Sequence, residues 1–444
     1  MVVVGFGASG LAAARLCLAK GARSVVMNDR REAADLGEDR VLQLVREGAR
    51  MELGHHEPSA FERADLVVLS PGVPRIPAVE ALEATGVPVV GELEMASWYV
   101  RAPIVGITGT NGKSTVTTLL GNILRRAGFP TFVGGNLGEP LSLAVDTPAA
   151  EEGGRLVVEL SSYQLEKTDY FHPHGAVWLN LTPDHLDRYP SFAAYGAAKA
   201  RIFLRQTRED FAVVPGDDPV VLAFARAGAA PVSTYGAEGS PVRIHGEAIV
   251  APGGARYPLD LLKIRGTHNV DNAMAAVLAA HLAGARPEPT YAELAAFEGL
   301  PHRMQLVLED RGVVYYDDSK ATNVGAAVRA LEGVDRPVVL IAGGRDKGGS
   351  YEPLVRLLRV KARAVVLLGE AAPLLRAALG GQCPHHDAED MFDAVRLARA
   401  LARPGDAVLL APACSSLDMF DDYRERGRVF AAAVRNLTGE GGAP

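Results

Sequence analysis

A glycine-rich loop stands between a predicted strand and a predicted helix near residue 110, and it constrains the fold more than any other feature of the chain. The apolar run 103–107 predicts the strand, and the stretch 113–127 predicts the helix. Between them, residues 108–115 read Thr-Gly-Thr-Asn-Gly-Lys-Ser-Thr. Gly109 and Gly112 allow the backbone to curl so that its N–H groups point at phosphate oxygens, and the helix N-terminus adds partial positive charge. The sequence therefore predicts a phosphate site on a parallel α/β sheet.

Two side chains of this loop and one from a later strand have the chemistry of a nucleotide site. Lys113 can reach the β- and γ-phosphates, and the Ser114 hydroxyl can coordinate Mg²⁺. Glu159 follows the apolar run 156–158, at a position where nucleotide-hydrolysing folds hold their metal. The loop departs from the general pattern in one respect, because the first glycine would fall at Ile107. An ordinary glycine turn is the alternative, and the order of strand, loop, Lys-Ser pair and helix argues against it.

A second glycine pattern, Gly5-x-Gly7-x-x-Gly10, follows the short apolar run 2–4. Asp29 lies about 20 residues further on, where a dinucleotide-binding fold places an acid on a ribose hydroxyl. The pattern shows only that a diphosphate can lie on a helix N-terminus, so NAD, FAD and a nucleotide sugar diphosphate all remain open. A purely structural glycine turn is the remaining possibility.

The distribution of apolar runs predicts an α/β chain with three domains. Strands alternate with helical stretches in the segments 1–91, 92–299 and 300–444, which predicts a parallel sheet in each. We expect an N-terminal Rossmann-like domain, a central P-loop ATPase-like domain and a C-terminal doubly wound Rossmann-like domain, with a frayed tail at 439–444. A length of 444 residues fits three domains of about 150 residues each.

Composition excludes several functional classes. The formal charge of −7 argues against a nucleic-acid partner, which would need clustered basic side chains. The three cysteines show no CxxC spacing, so neither a zinc ribbon nor a disulfide scaffold is expected, and a reducing, cytoplasmic location fits. No apolar run is long enough to span a membrane, and residues 1–7 lack the basic segment of a signal peptide, so no membrane partner is expected.

Other polar residues are ambiguous by themselves. His185 follows the apolar run 176–179 within Asp-His-Leu-Asp, and its acidic neighbours favour a functional role over a structural one. Lys199 is one of only eight lysines, yet a solvated helix lysine is the default interpretation. Asn269 and Asn272 could cap a helix or could read a purine.

The motifs occur in an order that resembles the Mur ligases of peptidoglycan synthesis. The shared segments are Gly-Thr-Asn-Gly-Lys-Ser-Thr, Glu-Leu-Ser-Ser, Asp-His-Leu-Asp, Tyr-x-x-Ala-Lys, His-Asn-x-x-Asn-Ala and His302-Arg303. Three later segments, 317–323, 343–349 and 412–420, resemble the D-glutamate-adding member of the family. The Asp-Asn-Pro-Arg sequence of the diaminopimelate- or lysine-adding relatives is absent. The resemblance covers nearly the whole chain.

The resemblance implies an ATP-dependent ligase that adds D-glutamate to UDP-N-acetylmuramoyl-L-alanine through an acyl phosphate and a tetrahedral intermediate. ATP would be the co-substrate, and two Mg²⁺ ions the cofactors. The implied catalytic residues are Lys113, Glu159, His185 and Lys199. Ser114 and Glu159 would hold the first Mg²⁺, and His185 with a carbamylated Lys199 would hold the second.

Three groups of binding residues follow from the same resemblance. ATP would bind at Gly109, Thr110, Asn111, Gly112, Lys113, Ser114, Thr115, Asn269, Asn272, Arg303, Asp318 and Lys320. The UDP sugar would bind at Ser9, Gly10, Leu11, Asp29, Arg30, Ser70, Gly72, Asn136 and His185. D-Glutamate would bind at Thr322, Lys347, Ser416, Leu417 and Tyr423. We expect these residues at the carboxyl ends of strands, brought together by domain closure in a monomer.

Three alternatives compete with this interpretation. A folylpolyglutamate-synthase-like ligase shares the ATP machinery, although the glycine pattern ahead of the phosphate loop argues against it. An NAD-dependent oxidoreductase fused to an ATPase-like unit would use that glycine pattern for a dinucleotide. A non-catalytic nucleotide-binding module would show no ATPase activity that depends on both an amino acid and a UDP sugar.

Overall fold

Parallel β-sheets form the framework of the chain, as the alternation of strands and helices predicts. The computed structural model describes residues 1–185, 188–264, 266–348 and 350–437, so the predicted frayed tail lies outside the described residues. Contacts divide the chain into two units. The first comprises Met1–Leu181, Gly196–Pro258 and Ala273–Leu294, and the second comprises Thr182–Tyr195, Leu259–Asn272 and Ala295–Pro444.

The first unit begins with a five-stranded parallel sheet. Its strands are β1 (Val2–Val4), β2 (Val26–Asp29), β3 (Arg50–Leu53), β4 (Val67–Leu69) and β5 (Val89–Gly91). Its helices are α1 (Ala8–Ala19), α2 (Ala33–Leu36), α3 (Glu38–Arg46), α4 (Pro77–Glu83) and α5 (Glu92–Ser97). The order β3-β2-β1-β4-β5 places β1 at the centre, which accounts for its continuous run of buried valines.

A six-stranded parallel sheet follows in the same unit, in the order β11-β10-β9-β6-β8-β7. Its strands are β6 (Ile104–Thr108), β7 (Thr131–Gly135), β8 (Arg155–Glu159), β9 (Gly175–Trp178), β10 (Phe211–Pro215) and β11 (Val232–Tyr235). Its helices are α6 (Lys113–Arg126), α7 (Ser162–Glu166), α8 (Phe192–Ala200) and α9 (Pro219–Arg226). A small antiparallel sheet of β12 (Arg243–His245), β13 (Ala248–Val250) and β14 (Arg256–Pro258) comes next. The helices α10 (Thr267–Leu282) and α11 (Pro287–Ala296) end this part of the chain.

The second unit contains a six-stranded sheet in the order β15-β16-β20-β17-β18-β19. Its strands are β15 (Gln305–Asp310), β16 (Val313–Asp317), β17 (Val338–Gly343), β18 (Ala362–Leu368), β19 (His385–Asp387) and β20 (Ala407–Ala413). Its helices are α12 (Val324–Glu332), α13 (Glu352–Lys361), α14 (Ala372–Leu379), α15 (Met391–Leu401) and α16 (Tyr423–Asn436). Two separate apolar cores involve this sheet, one with α12 to α14 and one with α15 and α16, as a doubly wound sheet requires.

The predicted α/β class is confirmed, and the polar pair Asn28 and Asp29 belongs to the strand β2. The prediction of a wholly parallel sheet in the segment 300–444 is wrong in one respect. The edge strand β15 runs antiparallel to β16, whereas the other strands of that sheet are parallel. Among the described residues, no helix is both long and apolar enough to cross a membrane.

Candidate functional site

The phosphate loop begins where β6 ends and stops at the first residue of α6, as the sequence predicts. Gly109 has a φ of 149°, and a Cβ on it would lie 3.1 Å from the Cβ of Leu179, so only glycine fits there without strain. The Lys113 ammonium donates to the carbonyl oxygens of Gly109 and Thr110, both at 2.9 Å. Lys113 is thus folded over the loop to which it belongs, where a phosphate would be bound.

Polar residues at the ends of the neighbouring strands face the same edge of this sheet. Glu159, the last residue of β8, is buried, and its Oε1 accepts from Asn136 Nδ2 at 2.7 Å. Asn136 follows β7, and its N–H also donates to the Glu159 carbonyl oxygen at 2.9 Å. Asn136, predicted to line the UDP-sugar site, therefore also orients the predicted metal ligand Glu159.

The residues predicted to hold the first Mg²⁺ have suitable chemistry. Ser114 and Glu159 are both buried and offer a hydroxyl and a carboxylate, the oxygen ligands that Mg²⁺ prefers. Within the described part of the chain, no group of three His, Cys, Asp or Glu side chains is arranged to hold a metal by itself. A site of this kind keeps several waters and shares its metal with the phosphates of a substrate.

Lys199 is buried in the first unit, which makes its default interpretation as a solvated helix lysine wrong. Only 2% of the residue is exposed. Its Nζ donates to the Gly109 carbonyl oxygen at 2.9 Å, the same oxygen that Lys113 contacts. Two of the eight lysines therefore meet on one peptide group of the phosphate loop.

His185 belongs to the second unit, and Leu186 and Asp187 beside it lie outside the described residues. Its backbone has a φ of 56°, and its Nε2 lies 3.7 Å from Asp184 Oδ2. Asp184 Oδ2 also accepts from Asn323 Nδ2 at 2.8 Å, which ties this histidine segment to the N-cap of α12.

The glycine pattern at the start of the chain forms a tight turn beside a groove of about 500 Å³. A Cβ on Gly10 would lie 1.8 Å from the Gly5 carbonyl oxygen, so a side chain there is excluded. Four of the residues predicted for the UDP sugar line the groove, namely Asp29, Arg30, Ser70 and Gly72. The three residues predicted on α1, namely Ser9, Gly10 and Leu11, are not among its lining residues.

The Asp29 carboxylate holds this glycine turn in place. Its Oδ2 accepts from the Phe6 N–H at 2.8 Å, and both of its oxygens accept from Arg31. Burial alone would raise the pKa of Asp29, but the hydrogen bonds from Arg31 and Phe6 lower it to about 2. Asp29 is therefore ionised at neutral pH. It binds the glycine turn itself, in addition to its predicted contact with the UDP sugar.

The second unit has a cavity of about 900 Å³ that Asn269 and Arg303 line. Asn272 donates to Asn269 Oδ1 at 3.1 Å, so these two predicted ATP ligands are neighbours on one face of α10. Burial raises the pKa of the nearby Asp318 to about 7, with Arg303 opposing the rise. Burial and the charges of Arg329 and Arg303 lower the pKa of His268 to about 4, so this imidazole is neutral at pH 7.

The residues predicted for D-glutamate follow the ends of β16, β17 and β20. Lys347 Nζ lies 3.5 Å from Thr322 Oγ1, and Ser416 is buried. The loops that carry Lys347 and Ser416 are joined by reciprocal main-chain hydrogen bonds of 2.9 Å between Arg345 and Ser415. Leu417 is 58% exposed, so it lies at the rim of this group.

Lys320, predicted for the ATP site, and Tyr423, predicted for D-glutamate, are in direct contact. The Lys320 ammonium lies 3.7 Å from the centre of the Tyr423 ring, within cation–π range. This contact links the loop after β16 to the start of α16.

Sequence reasoning missed a residue that organises the same loops, Arg426. It is fully buried and donates to the carbonyl oxygens of Ser319, Cys414 and Ser415, and to Ser319 Oγ. Burial lowers the pKa of Arg426 to about 10. Nothing in the sequence separates it from the other helix arginines, because its partners are main-chain groups of distant segments.

A phosphate loop on a parallel sheet, with an acid at the end of the adjacent strand, defines a P-loop nucleotide-binding protein. Comparison with family models gives three matches along the chain. Residues 1–91 match the MurD-like N-terminal domain of Mur ligases, residues 107–280 the Mur ligase middle domain, and residues 302–414 the Mur ligase glutamate ligase domain. The chain belongs to the Mur ligase family.

Two relatives of similar length have the same name. The chain is 46% identical over 442 residues to the UDP-N-acetylmuramoylalanine--D-glutamate ligase of Geobacter sp. (strain M21), covering 98% of this chain and 97% of the relative. It is 44% identical over 450 residues to the protein of that name from Geotalea daltonii, covering 99% and 98%.

Solved structures of other Mur ligases share the fold. The UDP-N-acetylmuramate-alanine ligase of Thermotoga maritima superposes with a TM-score of 0.63 at 19% identity over 99% of both chains. The MurF ligase of the same organism, in complex with ADP, gives a TM-score of 0.61 at 17% identity, with 93% of this chain and 96% of that chain covered.

Proposed function

We propose that the chain is an ATP-dependent ligase that adds D-glutamate to UDP-N-acetylmuramoyl-L-alanine in peptidoglycan precursor synthesis. The observation that carries the proposal is the phosphate loop at the end of β6, where Lys113 lies with the buried Ser114, Glu159 and Lys199. The full-length similarity to relatives of that name supports the choice of substrates.

Each predicted segment takes one substrate in this proposal. Residues 1–91 bind the UDP sugar, residues 92–299 bind ATP, and residues 300–444 bind the amino acid. The groove beside Asp29 supports the first role, the phosphate loop supports the second, and the Lys347–Thr322 pair supports the third. The protein acts as a cytoplasmic monomer, and light scattering on the purified protein tests its oligomeric state.

The chemistry follows from the substrates. A carboxylate is a poor electrophile, so the muramoyl-alanine carboxylate first attacks the γ-phosphate of ATP and becomes an acyl phosphate, with release of ADP. The D-glutamate amine then attacks the acyl carbon, and the tetrahedral intermediate expels inorganic phosphate. Both steps build negative charge on oxygen, and Lys113 is placed to stabilise that charge.

Ser114 and Glu159 would hold the first Mg²⁺, and His185 with a carbamylated Lys199 would hold the second. Bound Mg²⁺ supplies neutralisation of phosphate charge. The buried position of Lys199 supports this role, because a carbamate there would be an anion shielded from water.

Phosphate release tests the function as a whole. The protein is incubated with ATP, Mg²⁺ and UDP-N-acetylmuramoyl-L-alanine, and a panel of D- and L-amino acids is added singly. We expect phosphate release with D-glutamate that exceeds every other amino acid. Release that is independent of the UDP sugar, or that is equal for all amino acids, would contradict the proposal.

Lys347→Met tests how the amino acid is chosen. An ammonium that holds the side-chain carboxylate of D-glutamate contributes about 1.5–3 kcal/mol, and 1.4 kcal/mol is tenfold. The substitution should therefore raise the KM for D-glutamate by roughly one to two orders of magnitude, measured by phosphate release at saturating ATP and UDP sugar. D-Glutamine should be a poor substrate of the wild type, and its disadvantage should shrink in the variant.

Lys167→Met is the matched control, because Lys167 forms a surface ion pair with Glu83 within the first unit, whereas the D-glutamate residues belong to the second. It should leave all three KM values unchanged. Equal use of D-glutamate and D-glutamine by the wild type would show that the pocket does not read this charge.

A further inference from the structure

Asn180 follows β9 and makes three hydrogen bonds with the phosphate loop, although it is not among the predicted site residues. The Asn111 N–H donates to Asn180 Oδ1 at 2.9 Å, and Asn180 Nδ2 donates to the Asn111 carbonyl oxygen at 3.0 Å. The Thr110 N–H donates to the Asn180 carbonyl oxygen at 3.1 Å. One residue thus binds two consecutive residues of the loop.

The main chain around Asn180 is itself anchored in the core of the first unit. The indole Nε1 of Trp178 donates to the Asn180 carbonyl oxygen at 3.0 Å, and Trp178 is fully buried with its ring stacked on Phe224 at 5.4 Å. The Tyr235 hydroxyl donates to the Leu179 carbonyl oxygen at 3.2 Å. The support of the loop therefore extends from a rigid aromatic cluster rather than from another surface loop.

The loop needs such support because of its own composition. Gly109 and Gly112 both have positive φ, and a chain with two glycines so close together has many conformations of similar energy. Holding a binding loop in its bound shape reduces the entropy lost when the ligand binds.

We propose that Asn180 is a positioning residue that holds the phosphate loop in its nucleotide-binding conformation. The inference rests on the proposed nucleotide site, but it requires neither the amino acid nor the UDP sugar. The proposal also gives the Asn111 side chain a separate role in nucleotide binding. Asn180 binds the main-chain N–H and carbonyl oxygen of Asn111, and the side-chain amide of Asn111 is not part of these two bonds. The buried Asn111 Nδ2 has no hydrogen-bond partner in the part of the chain that the structure describes, and in the proposal this donor serves the nucleotide.

Asn180→Ala tests the proposal through binding of ADP with Mg²⁺, measured by calorimetry. Each side-chain hydrogen bond corresponds to a factor of about two to ten in an equilibrium constant. Loss of both should weaken ADP affinity by roughly 4- to 100-fold and raise the KM for ATP more than it lowers kcat. Affinity for the UDP sugar should stay at the wild-type value.

Asn122→Ala is the matched control, since Asn122 lies on α6 and donates to Glu293 Oε1 at 2.8 Å, away from the loop. It should bind ADP like the wild type. Trp178→Phe keeps a buried ring but removes the donor to the Asn180 carbonyl oxygen, and it should weaken ADP binding by about two- to tenfold.

Hydrogen exchange supplies a readout that does not depend on activity. The Asn111 amide should exchange slowly in the wild type and faster in Asn180→Ala, because its acceptor is gone. If Asn180→Ala does not fold, Trp178→Phe decides the matter by its ADP affinity. Wild-type ADP affinity and unchanged Asn111 exchange in the folded variant would overturn the proposal. Failure of the D-glutamate assay would not alter either measurement, so the two proposals fail separately.

Discussion

Lys113→Ala should nearly abolish ADP formation while leaving UDP-sugar binding nearly intact. The Lys113 ammonium lies over the phosphate loop and contacts two of its carbonyl oxygens, so it is placed to pair with a phosphate bound at the loop. Removing a charged group that stabilises a transition state typically lowers kcat by about 10²–10³-fold. The groove beside Asp29 shares no lining residue with the loop, so calorimetric titration with the UDP sugar should give the wild-type affinity.

Lys361→Ala is the control for loss of an ammonium that contacts main-chain carbonyls. Lys361 Nζ donates to the carbonyl oxygens of Leu331, Glu332 and Val334 in the second unit, far along the chain from the phosphate loop. This variant should keep ADP formation, even if its melting temperature falls. Joint loss of UDP-sugar binding and folded structure in Lys113→Ala would instead show that Lys113 is a structural residue.

The strands and the phosphate loop could be predicted from the sequence because their signals are local. Buried strands such as β6 and β8 read as short apolar runs, and a polar residue that ends such a run marks the carboxyl edge of the sheet. This signal predicts Glu159 as a metal ligand. Asn180 carries the same signal after β9, and it could have been found by the same reasoning.

Edge strands and long-range contacts could not be predicted in the same way. The strand β3 alternates exposed and half-buried residues and has no apolar run, so nothing distinguishes it from a loop. The burial of Lys199 accompanies its contact with a carbonyl 90 residues earlier in the chain. Composition alone predicts a solvated lysine at this position. Arg426 could not be predicted for the same reason, because its acceptors are carbonyls of two loops that meet only in the folded chain.

Lys199→Ala should be nearly inactive in the ligase reaction and partly restored by short carboxylates such as acetate. In the proposal a carbamate on Lys199 supplies an anion at the second Mg²⁺, and its removal leaves a buried site that a small carboxylate can enter. Loss of one electrostatic partner of a reacting phosphate costs about 10²–10³-fold in kcat. The measurement is phosphate release against acetate concentration at constant ionic strength, with chloride as the salt control.

Lys199→Arg separates the carbamate from the hydrogen bond that the structure contains. The Lys199 ammonium donates to the Gly109 carbonyl oxygen at 2.9 Å, and a guanidinium can replace that donor but cannot form a carbamate with CO₂. If the carbamate is required, the arginine variant should be as inactive as the alanine variant and acetate should not restore it, because the guanidinium fills the space. Lys113→Ala should likewise gain nothing from acetate, since a cation is missing there. Wild-type activity in Lys199→Arg would show that the bond to the phosphate loop, and not an anion at the metal, is what Lys199 contributes.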